Sequence, residues 1–288
     1  MLGHWTGPTL RSSWEADPTI GEHSTHDLLQ IAGRATQLAS QFIRSHRPAE
    51  LTVKGDRDLS SDVDMGVERL VRTFLRDATP EIGFLGEEGG GNTKERDLWV
   101  LDPIDGTINF LHGVPLFAVS LALIHAESTL AAVVELPLIG TAYTALRGHG
   151  SFADGRRIRV SATSTLKDSL ISIDQYTFGS DAERKNRARL RLTEQLSKRV
   201  QRLRILGASS VDLAWTAEGR LDACIMLGNN LWDTAAGVLI AREAGAHVLA
   251  EDGRDHSRQS WATIAVTASI EAELMTVIQS TLSRLPAE

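Results

Sequence analysis

Apolar residues recur every three or four positions in two stretches near the start of the chain. The stretch 26–45 contains Leu28, Leu29, Ala32, Ala35, Leu38 and Phe42. The second stretch contains Val67, Leu70, Val71 and Phe74. This spacing follows the 3.6-residue turn of a helix, so it predicts two amphipathic helices. The polar segment 54–62 between them predicts a loop.

Shorter apolar runs, separated by turn residues, predict strands in the rest of the chain. In the first half these runs lie at 82–85, 98–101, 116–124, 130–136 and 141–146. In the second half the predicted strands are "SLISIDQY", "RLRIL", "LDACIML", "HVLA" and "TIAVT". They alternate with predicted helices at 181–200, 233–245 and 270–283. Such an alternation predicts a mixed or parallel sheet.

Composition narrows the class of protein. The 288 residues are 42% hydrophobic and 23% charged, as in an ordinary globular domain. The formal charge of -7 disfavours nonspecific nucleic-acid binding, and no apolar run is long enough to cross a membrane. One cysteine, Cys224, permits no internal disulfide, which favours a reducing compartment. The polar segment 1–24 lacks the apolar core of a signal peptide, so we expect a loose arm and a cytoplasmic protein.

Candidate chemistry is concentrated in "WVLDPIDGTINF", residues 99–110. Asp102 and Asp105 end an apolar run, and the proline between them turns the chain. Two carboxylates this close would repel each other, and a divalent cation such as Mg²⁺ would remove the conflict. Gly106 and Thr107 follow, and if a helix starts there its free N–H groups would bind an anion. The alternative is ordinary structure, in which Asp105 caps a helix and Asp102 ends a strand.

Other acidic residues occupy similar positions along the chain. Glu87 and Glu88 follow the predicted strand 82–85, while Asp64 and Asp233 stand at the starts of predicted helices. Each of them alone could be a helix cap or a solvated acid. Together they weaken the purely structural alternative.

Several motifs resemble the signatures of the inositol monophosphatase family. These are "GEE" at 86–88, "DPIDGT" at 102–107, "WDTAAG" at 232–237, "DLSSDVDMGVE" around Asp64 and "GASSVDLAWTAEGRLDACI" at 207–225. The resemblance runs from about residue 26 to 285. It implies a layered αβαβα sandwich of the sugar-phosphatase type, with an α+β half at 25–160 and an α/β half at 161–288 around a metal-containing cleft. It also implies a homodimeric phosphomonoesterase that depends on Mg²⁺.

The resemblance also implies roles for individual residues. Glu87, Asp102 and the Ile104 carbonyl would hold a first Mg²⁺, and Asp102, Asp105 and Asp233 a second. A third, weaker ion would use Glu87 and water. Thr107, hydrogen-bonded to Asp64, would orient the attacking water and take up its proton. Phosphate and substrate would contact Asp105, the Gly106 and Thr107 amides, and the loop of Gly207, Ala208 and Ser209.

One position departs from the family pattern and bears on the substrate. Met226 stands seven residues before Asp233, where animal inositol phosphatases carry an acidic residue that binds substrate hydroxyls. We therefore expect a methionine at the substrate-binding position and a weakened preference for polyols. The alternative is that Met226 points into the core and that a neighbour such as Asn229 or Asn230 contacts the substrate. Inositol 1-phosphate or a related polyol phosphate is the first hypothesis. Histidinol phosphate, fructose 1,6-bisphosphate and 3′-phosphoadenosine 5′-phosphate are rival substrates, and a noncatalytic binding protein with the same fold is a further alternative.

Overall fold

The computed structural model describes residues 19–46, 48, 51–55, 58–179, 182–228 and 230–283. Most of the predicted arm, residues 1–18, lies outside this range, so its looseness stays a prediction. Ile20, near the end of that arm, is buried with 4% of its surface exposed. Ordered packing therefore begins before the first helix. No helix in these ranges is both long and apolar enough to cross a membrane.

Seven α-helices occur in the described parts of the chain. They are α1 (Thr25–Ser45), α2 (Asp62–Ala78), α3 (Thr107–Leu111), α4 (Ala182–Ser197), α5 (Ser209–Ala217), α6 (Leu231–Glu243) and α7 (Glu271–Leu282). Short 3₁₀ turns lie at Leu166–Asp168 and Ala268–Ile270. Three helices, α1, α2 and α6, start with a capping box, in which a capping residue and an aspartate three positions later exchange hydrogen bonds.

The larger sheet has eight strands and is mostly antiparallel. Its strands are β3 (Gly83–Gly86), β4 (Gly90–Gly91), β5 (Asp97–Asp105), β6 (Ala118–His125), β7 (Ser128–Leu136), β8 (Thr141–Leu146), β9 (Gly150–Ala153) and β10 (Arg156–Arg157). They are ordered β10-β9-β8-β7-β6-β5-β3-β4. Only the pairing of β3 with β5 in this sheet is parallel, and it brings the end of β3 beside Leu101.

The smaller sheet has five strands and is mixed, as the alternation of elements predicted. Its strands are β11 (Leu170–Ile173), β12 (Arg202–Arg204), β13 (Ala223–Leu227), β14 (His247–Leu249) and β15 (Ala262–Val266), ordered β12-β11-β13-β15-β14. Strand β11 runs parallel to its neighbours β12 and β13, and β15 runs antiparallel to β13 and β14.

Helices and sheets stack in five layers, α-β-α-β-α. Helices α1 and α2 cover one face of the larger sheet, α5 and α6 lie between the two sheets, and α4 and α7 cover the outside of the smaller sheet. Alternate side chains of a strand pack into different layers. On β5, Trp99 and Leu101 join the α1–α2 core, whereas Leu98 and Val100 face α5 and α6. The layered sandwich expected from the family resemblance is thus observed.

The segment 54–62 was predicted to be a loop, and this prediction is wrong in part. Strand β1 (Leu51–Gly55) pairs antiparallel with β2 (Asp58–Ser61), and α2 starts at Asp62. A two-stranded hairpin is held by backbone hydrogen bonds, which a polar sequence can form as well as an apolar one. Periodicity of apolar residues therefore carried no signal for it.

Candidate active site

Strand β5 ends in an irregularity that directs two carboxylates into one cleft. Asp102 pairs with Ser120 of β6 and Asp105 with Ala118, so a step of three residues on β5 matches a step of two on β6. Such a bulge breaks the alternation that would otherwise send Asp102 and Asp105 to opposite faces. Pro103 fits here, because a bulge does not need its missing N–H. Both carboxylates line a cleft of about 290 Å³.

The chain turns sharply after this bulge because of Gly106. Its φ of 95° lies in the left-handed region that favours glycine. A Cβ at this position would lie 3.0 Å from the Cβ of Ala208 and 3.1 Å from the Leu116 carbonyl oxygen, so a side chain would be crowded as well as strained. Helix α3 starts at the next residue, Thr107, and both residues line the cleft. The turn thus places backbone N–H groups beside Asp105.

Asp64 holds the hydroxyl of Thr107, as the family resemblance implied. The Thr107 hydroxyl lies 3.1 Å from Asp64 Oδ1 and 3.0 Å from the Ile104 carbonyl oxygen. Asp64 also accepts hydrogen bonds from the Ser61 backbone N–H at 2.9 Å and the Ser61 hydroxyl at 2.5 Å. Burial raises the pKa of Asp64, and these hydrogen bonds oppose the rise. Asp64 is fully buried, so it acts on the cleft through Thr107.

Two further carboxylates reach the cleft from other elements. Glu87 follows β3, and its N–H donates to the Leu101 carbonyl at 3.2 Å, which sets it beside Asp102. Asp233 lies in the first turn of α6, where one carboxylate oxygen accepts the Asn230 N–H at 2.7 Å. Both line the same cleft as Asp102 and Asp105.

Glu68 supports this arrangement from α2. Its carboxylate accepts the N–H of Glu88 at 2.8 Å and of Gly89 at 3.0 Å. Arg72 pairs with it at 2.6 Å, so its charge is compensated. Glu68 therefore fixes the loop that carries Glu87.

The carboxylates in the cleft disfavour one another's charge. Burial, followed by the charges of Glu87, Asp105 and Asp233, raises the pKa of Asp102 well above its usual range. Burial and the charge of Asp105 raise the pKa of Asp233 to about 8. Burial raises the pKa of Asp105 to about 6, although N–H groups of Ser209 and Ser210 oppose the rise.

This donor set fits a divalent cation. Among the residues that the structure describes, no three histidine, cysteine or carboxylate side chains form a ready-made metal site. Four carboxylates that share a buried cleft repel one another, and a cation would relieve that repulsion. With the Ile104 carbonyl they offer the oxygen ligands that Mg²⁺ prefers.

A second wall of the cleft comes from the start of α5. Gly207, Ala208 and Ser209 line the cleft, and their contact with substrate stays a prediction. Asp105 accepts the Ser209 N–H at 3.2 Å and also the Ser210 N–H, so it caps α5 from across the cleft. This contact ties the 207–209 loop to the strand that carries Asp102 and Asp105.

The family model described as "Inositol monophosphatase family" matches residues 24–285 of this chain. The chain belongs to the inositol monophosphatase family. It is 33% identical over 267 residues to Inositol-1-monophosphatase ImpA of Mycolicibacterium smegmatis, an alignment that covers 91% of this chain and 96% of that protein. It is 32% identical over 231 residues to the Fructose-1,6-bisphosphatase/inositol-1-monophosphatase of Thermotoga maritima, covering 80% and 86%.

A solved family structure has the same fold. The Thermotoga maritima IMPase superposes with a TM-score of 0.83 at 30% identity and covers 89% of this chain and 98% of that one. The family assignment made from the motifs and the layered fold is confirmed. The predicted enzyme class, phosphoric monoester hydrolase, agrees with the names of these family members.

The prediction that Met226 contacts the substrate is wrong. Its side chain is fully buried in the core that includes α5 and α6. Strand alternation turns Ala223, Ile225 and Leu227 toward α4 and α7 and turns Met226 the opposite way, into that central core. Asn230 lines the cleft instead, whereas Asn229 lies outside the described residues.

The sequence did not single out three charged residues that line the cleft, which are Asp174, Arg189 and Asp212. Asp174 directly follows β11, so an acidic residue after the apolar part of the predicted strand "SLISIDQY" was a usable signal. Arg189 carried no such signal, because it is one of many basic residues along α4. Only the packing of α4 on the smaller sheet brings Arg189 to the cleft.

Proposed function

We propose that this inositol monophosphatase family member hydrolyses a small polyol phosphate monoester, such as inositol 1-phosphate, with Mg²⁺. The observation that carries the proposal is the meeting of Glu87, Asp102, Asp105 and Asp233 with the Gly106–Thr107 turn in one cleft. Carboxylates for a cation beside N–H groups for an anion form a set suited to phosphate chemistry.

The oxygen ligands would hold two or three Mg²⁺ ions. Glu87, Asp102 and the Ile104 carbonyl would form one site, and Asp102, Asp105 and Asp233 another. When bound, these ions would lower the pKa of an attacking water and stabilise the leaving oxygen. The carboxylates would lose their protons as the ions bind, and their negative charge would then keep the ions in the cleft.

The other residues would position the reacting groups. The Thr107 hydroxyl, held by Asp64 at 3.1 Å, would orient the attacking water and take up its proton while passing its own to the Asp64 carboxylate. The N–H groups of Gly106 and Thr107 would hold phosphate oxygens. The loop of Gly207, Ala208 and Ser209 would close over the substrate from the opposite wall.

The assembly and location that we propose follow the family resemblance. We infer that the halves 25–160 and 161–288 form the two sides of the cleft and that the protein is a cytoplasmic homodimer. The exposed apolar side chains of Ile108, Val114 and Ile205 are candidates for burial between two copies. Sedimentation velocity of the purified chain would test the dimer.

A phosphate-release assay tests the proposed function. The substrates would be inositol 1-phosphate, histidinol phosphate, fructose 1,6-bisphosphate and 3′-phosphoadenosine 5′-phosphate, each with Mg²⁺ and with a chelator. We expect Mg²⁺-dependent release from at least one, and nearly complete loss in Asp102→Asn. Absence of release from all four, with the protein folded, would favour the noncatalytic alternative.

Fructose 1,6-bisphosphate is the second candidate substrate. A family member from Thermotoga maritima, 32% identical to this chain, is named for both activities. The order of kcat/KM values in the same assay separates the two substrates.

A further inference from the structure

A buried ion pair forms part of the cleft wall, apart from the four carboxylates described above. Asp174 follows β11 and Arg189 comes from α4, and both line the cleft. Their side chains are only 10% and 2% exposed. Arg189 Nε donates to Asp174 Oδ1 at 2.8 Å, and Nη2 donates to Oδ2, so the contact is bidentate.

The end of β13 holds this pair in place. Arg189 Nη2 also donates to the Leu227 carbonyl at 2.9 Å, and the Leu227 N–H donates to Asp174 Oδ2 at 2.9 Å. The next residue, Gly228, lines the cleft as well. The pair is therefore fixed to the backbone and does not need substrate to order it.

Both partners retain hydrogen-bonding capacity. Arg189 Nη1 reaches Thr177 Oγ1 and Asn186 Oδ1 only at 3.4 Å, near the outer limit of a hydrogen bond. Within the described part of the chain, Asp174 Oδ1 accepts one hydrogen bond, from Arg189 Nε. A carboxylate oxygen can accept two. The wall can thus offer a donor and an acceptor side by side.

The charge of the pair indicates what kind of group it would bind. Asp174 offsets the charge of Arg189, so the pair as a whole attracts an anion weakly. A hydroxyl both donates and accepts, and so it can satisfy both partners. An apolar group would displace water from them without replacing its hydrogen bonds.

We propose that Asp174 and Arg189 form the subsite that binds the hydroxyl groups of a polyol phosphate. This proposal rests on the proposed function and specifies the substrate class of the same cleft. Asp174 accepts from the substrate hydroxyl and Arg189 Nη1 donates to it. Asp174, at the end of β11, thereby supplies an acceptor that Met226 of the neighbouring strand β13 cannot supply, since Met226 is enclosed in the core.

Substrate selectivity tests the subsite. The measured quantity is the ratio of kcat/KM for inositol 1-phosphate to kcat/KM for cyclohexyl phosphate, which has the same six-membered ring and a secondary alkoxide leaving group but no free hydroxyl groups. We expect Asp174→Asn to lower this ratio about 10- to 100-fold, the value of a hydrogen bond to a charged group. Both substrates carry the same phosphate on a secondary alkoxide, so a defect in catalysis alone changes both rates alike and leaves the ratio nearly unchanged.

Asp222→Asn is the matched control. Asp222 is also buried and lies at the opposite end of the strand pair β11 and β13. There it accepts the Leu170 N–H at 2.6 Å and the Ser161 hydroxyl at 2.5 Å. It does not line the cleft, so its loss should lower the melting temperature and leave the ratio unchanged. A ratio that falls equally in both variants would overturn the subsite.

A second variant covers the case in which Asp174→Asn does not fold, since it leaves Arg189 as an unpaired buried charge. Asp174→Leu combined with Arg189→Met removes both charges, a change that buried ion pairs often tolerate. We expect the same loss of selectivity. An unchanged ratio in the folded double variant overturns the subsite while the proposed function stands.

Two outcomes distinguish a hydroxyl-binding subsite from a second phosphate site and from a protein without phosphatase activity. Lys185 lies against Gly228 at the cleft and would favour an anion, so fructose 1,6-bisphosphate is included. If its kcat/KM, and not that of inositol 1-phosphate, falls in Asp174→Asn, the wall binds a second phosphate and the hydroxyl assignment is wrong. If the wild-type protein releases phosphate from no substrate, the proposed function fails and the subsite with it.

Discussion

The starts of helices α2 and α6 are built alike, yet their aspartates have different surroundings. In each, a capping residue and an aspartate three positions later exchange hydrogen bonds. Asp64 on α2 also accepts from Thr107 at 3.1 Å, and those hydrogen bonds oppose the rise in pKa that burial causes. Asp233 on α6 faces Asp105 and Glu87, and burial together with this like charge raises its pKa to about 8.

This difference shows that a local motif defines a backbone position and not a chemical role. The capping box sets the first turn in both helices. What the rest of the fold places opposite the carboxylate then decides whether it orients a hydroxyl or shares a cleft with other acids. The contact of Asp64 with Thr107 is complete within the chain, whereas the cleft around Asp233 favours an added cation.

The largest expected effect comes from the aspartate that faces other acids. Asp233→Asn should lower kcat/KM by about 10³-fold or more, since a bound metal contributes several kcal/mol to transition-state stabilisation. It should also raise the Mg²⁺ concentration that gives half-maximal rate. Steady-state kinetics over a Mg²⁺ series measures both. Near wild-type activity with an unchanged Mg²⁺ requirement would remove Asp233 from the metal site.

A smaller effect is expected where the aspartate acts through a hydroxyl. Thr107→Ala should lower kcat about 10²-fold, the value of a positioned acid–base group, and change KM and the Mg²⁺ requirement little. Thr107→Ser keeps the hydroxyl and should recover much of the rate. If Thr107→Ala changes KM alone, the proposed orientation of water is incorrect.

The pH dependence of stability should also report on the acids that share the cleft. Asp105 and Asp233 have pKa values raised from 3.8 to about 6 and about 8, so the native state keeps protons that the unfolded state has lost. Their contribution is fully present below about pH 4 and is lost as pH rises toward 8. The melting temperature of the metal-free protein should therefore decrease over this window through these groups. Saturating Mg²⁺ should remove the decrease, and Asp233→Asn should reduce it.

The smallest effect is expected at α1, whose capping box lies on the surface. Ser24 holds Asp27 there, and these hydrogen bonds lower the pKa of Asp27. The contribution of the Asp27 carboxylate to stability is present above pH 3.8 and is lost as the pH falls below that value. Asp27→Asn should cost at most about 1 kcal/mol of unfolding free energy and leave kcat/KM unchanged. A kinetic defect in Asp27→Asn would show that the loss of a capping box outside the cleft also affects catalysis.

Much of the fold and of the site could be predicted because the signals are local. Helical and strand periods identified α1, α2 and most strands, and the motifs identified Glu87, Asp102, Asp105 and Asp233. The hairpin of β1 and β2 escaped prediction because its pairing depends on backbone groups that every residue carries. The expectation for Met226 was wrong because a motif position does not say how far its side chain extends into a core.

The sequence by itself determined where the chain turns, through Gly106 at a positive φ and Pro103 in a bulge. It also determined which residues could bear charge, such as the aspartates in the first turns of α2 and α6. Only the tertiary structure decided which of these carboxylates meet. Asp105 caps α5 across more than a hundred residues of chain, and Arg189 of α4 reaches Asp174 through packing on the smaller sheet. Such contacts depend on burial and layer stacking, which act between segments and leave no period or motif in either one.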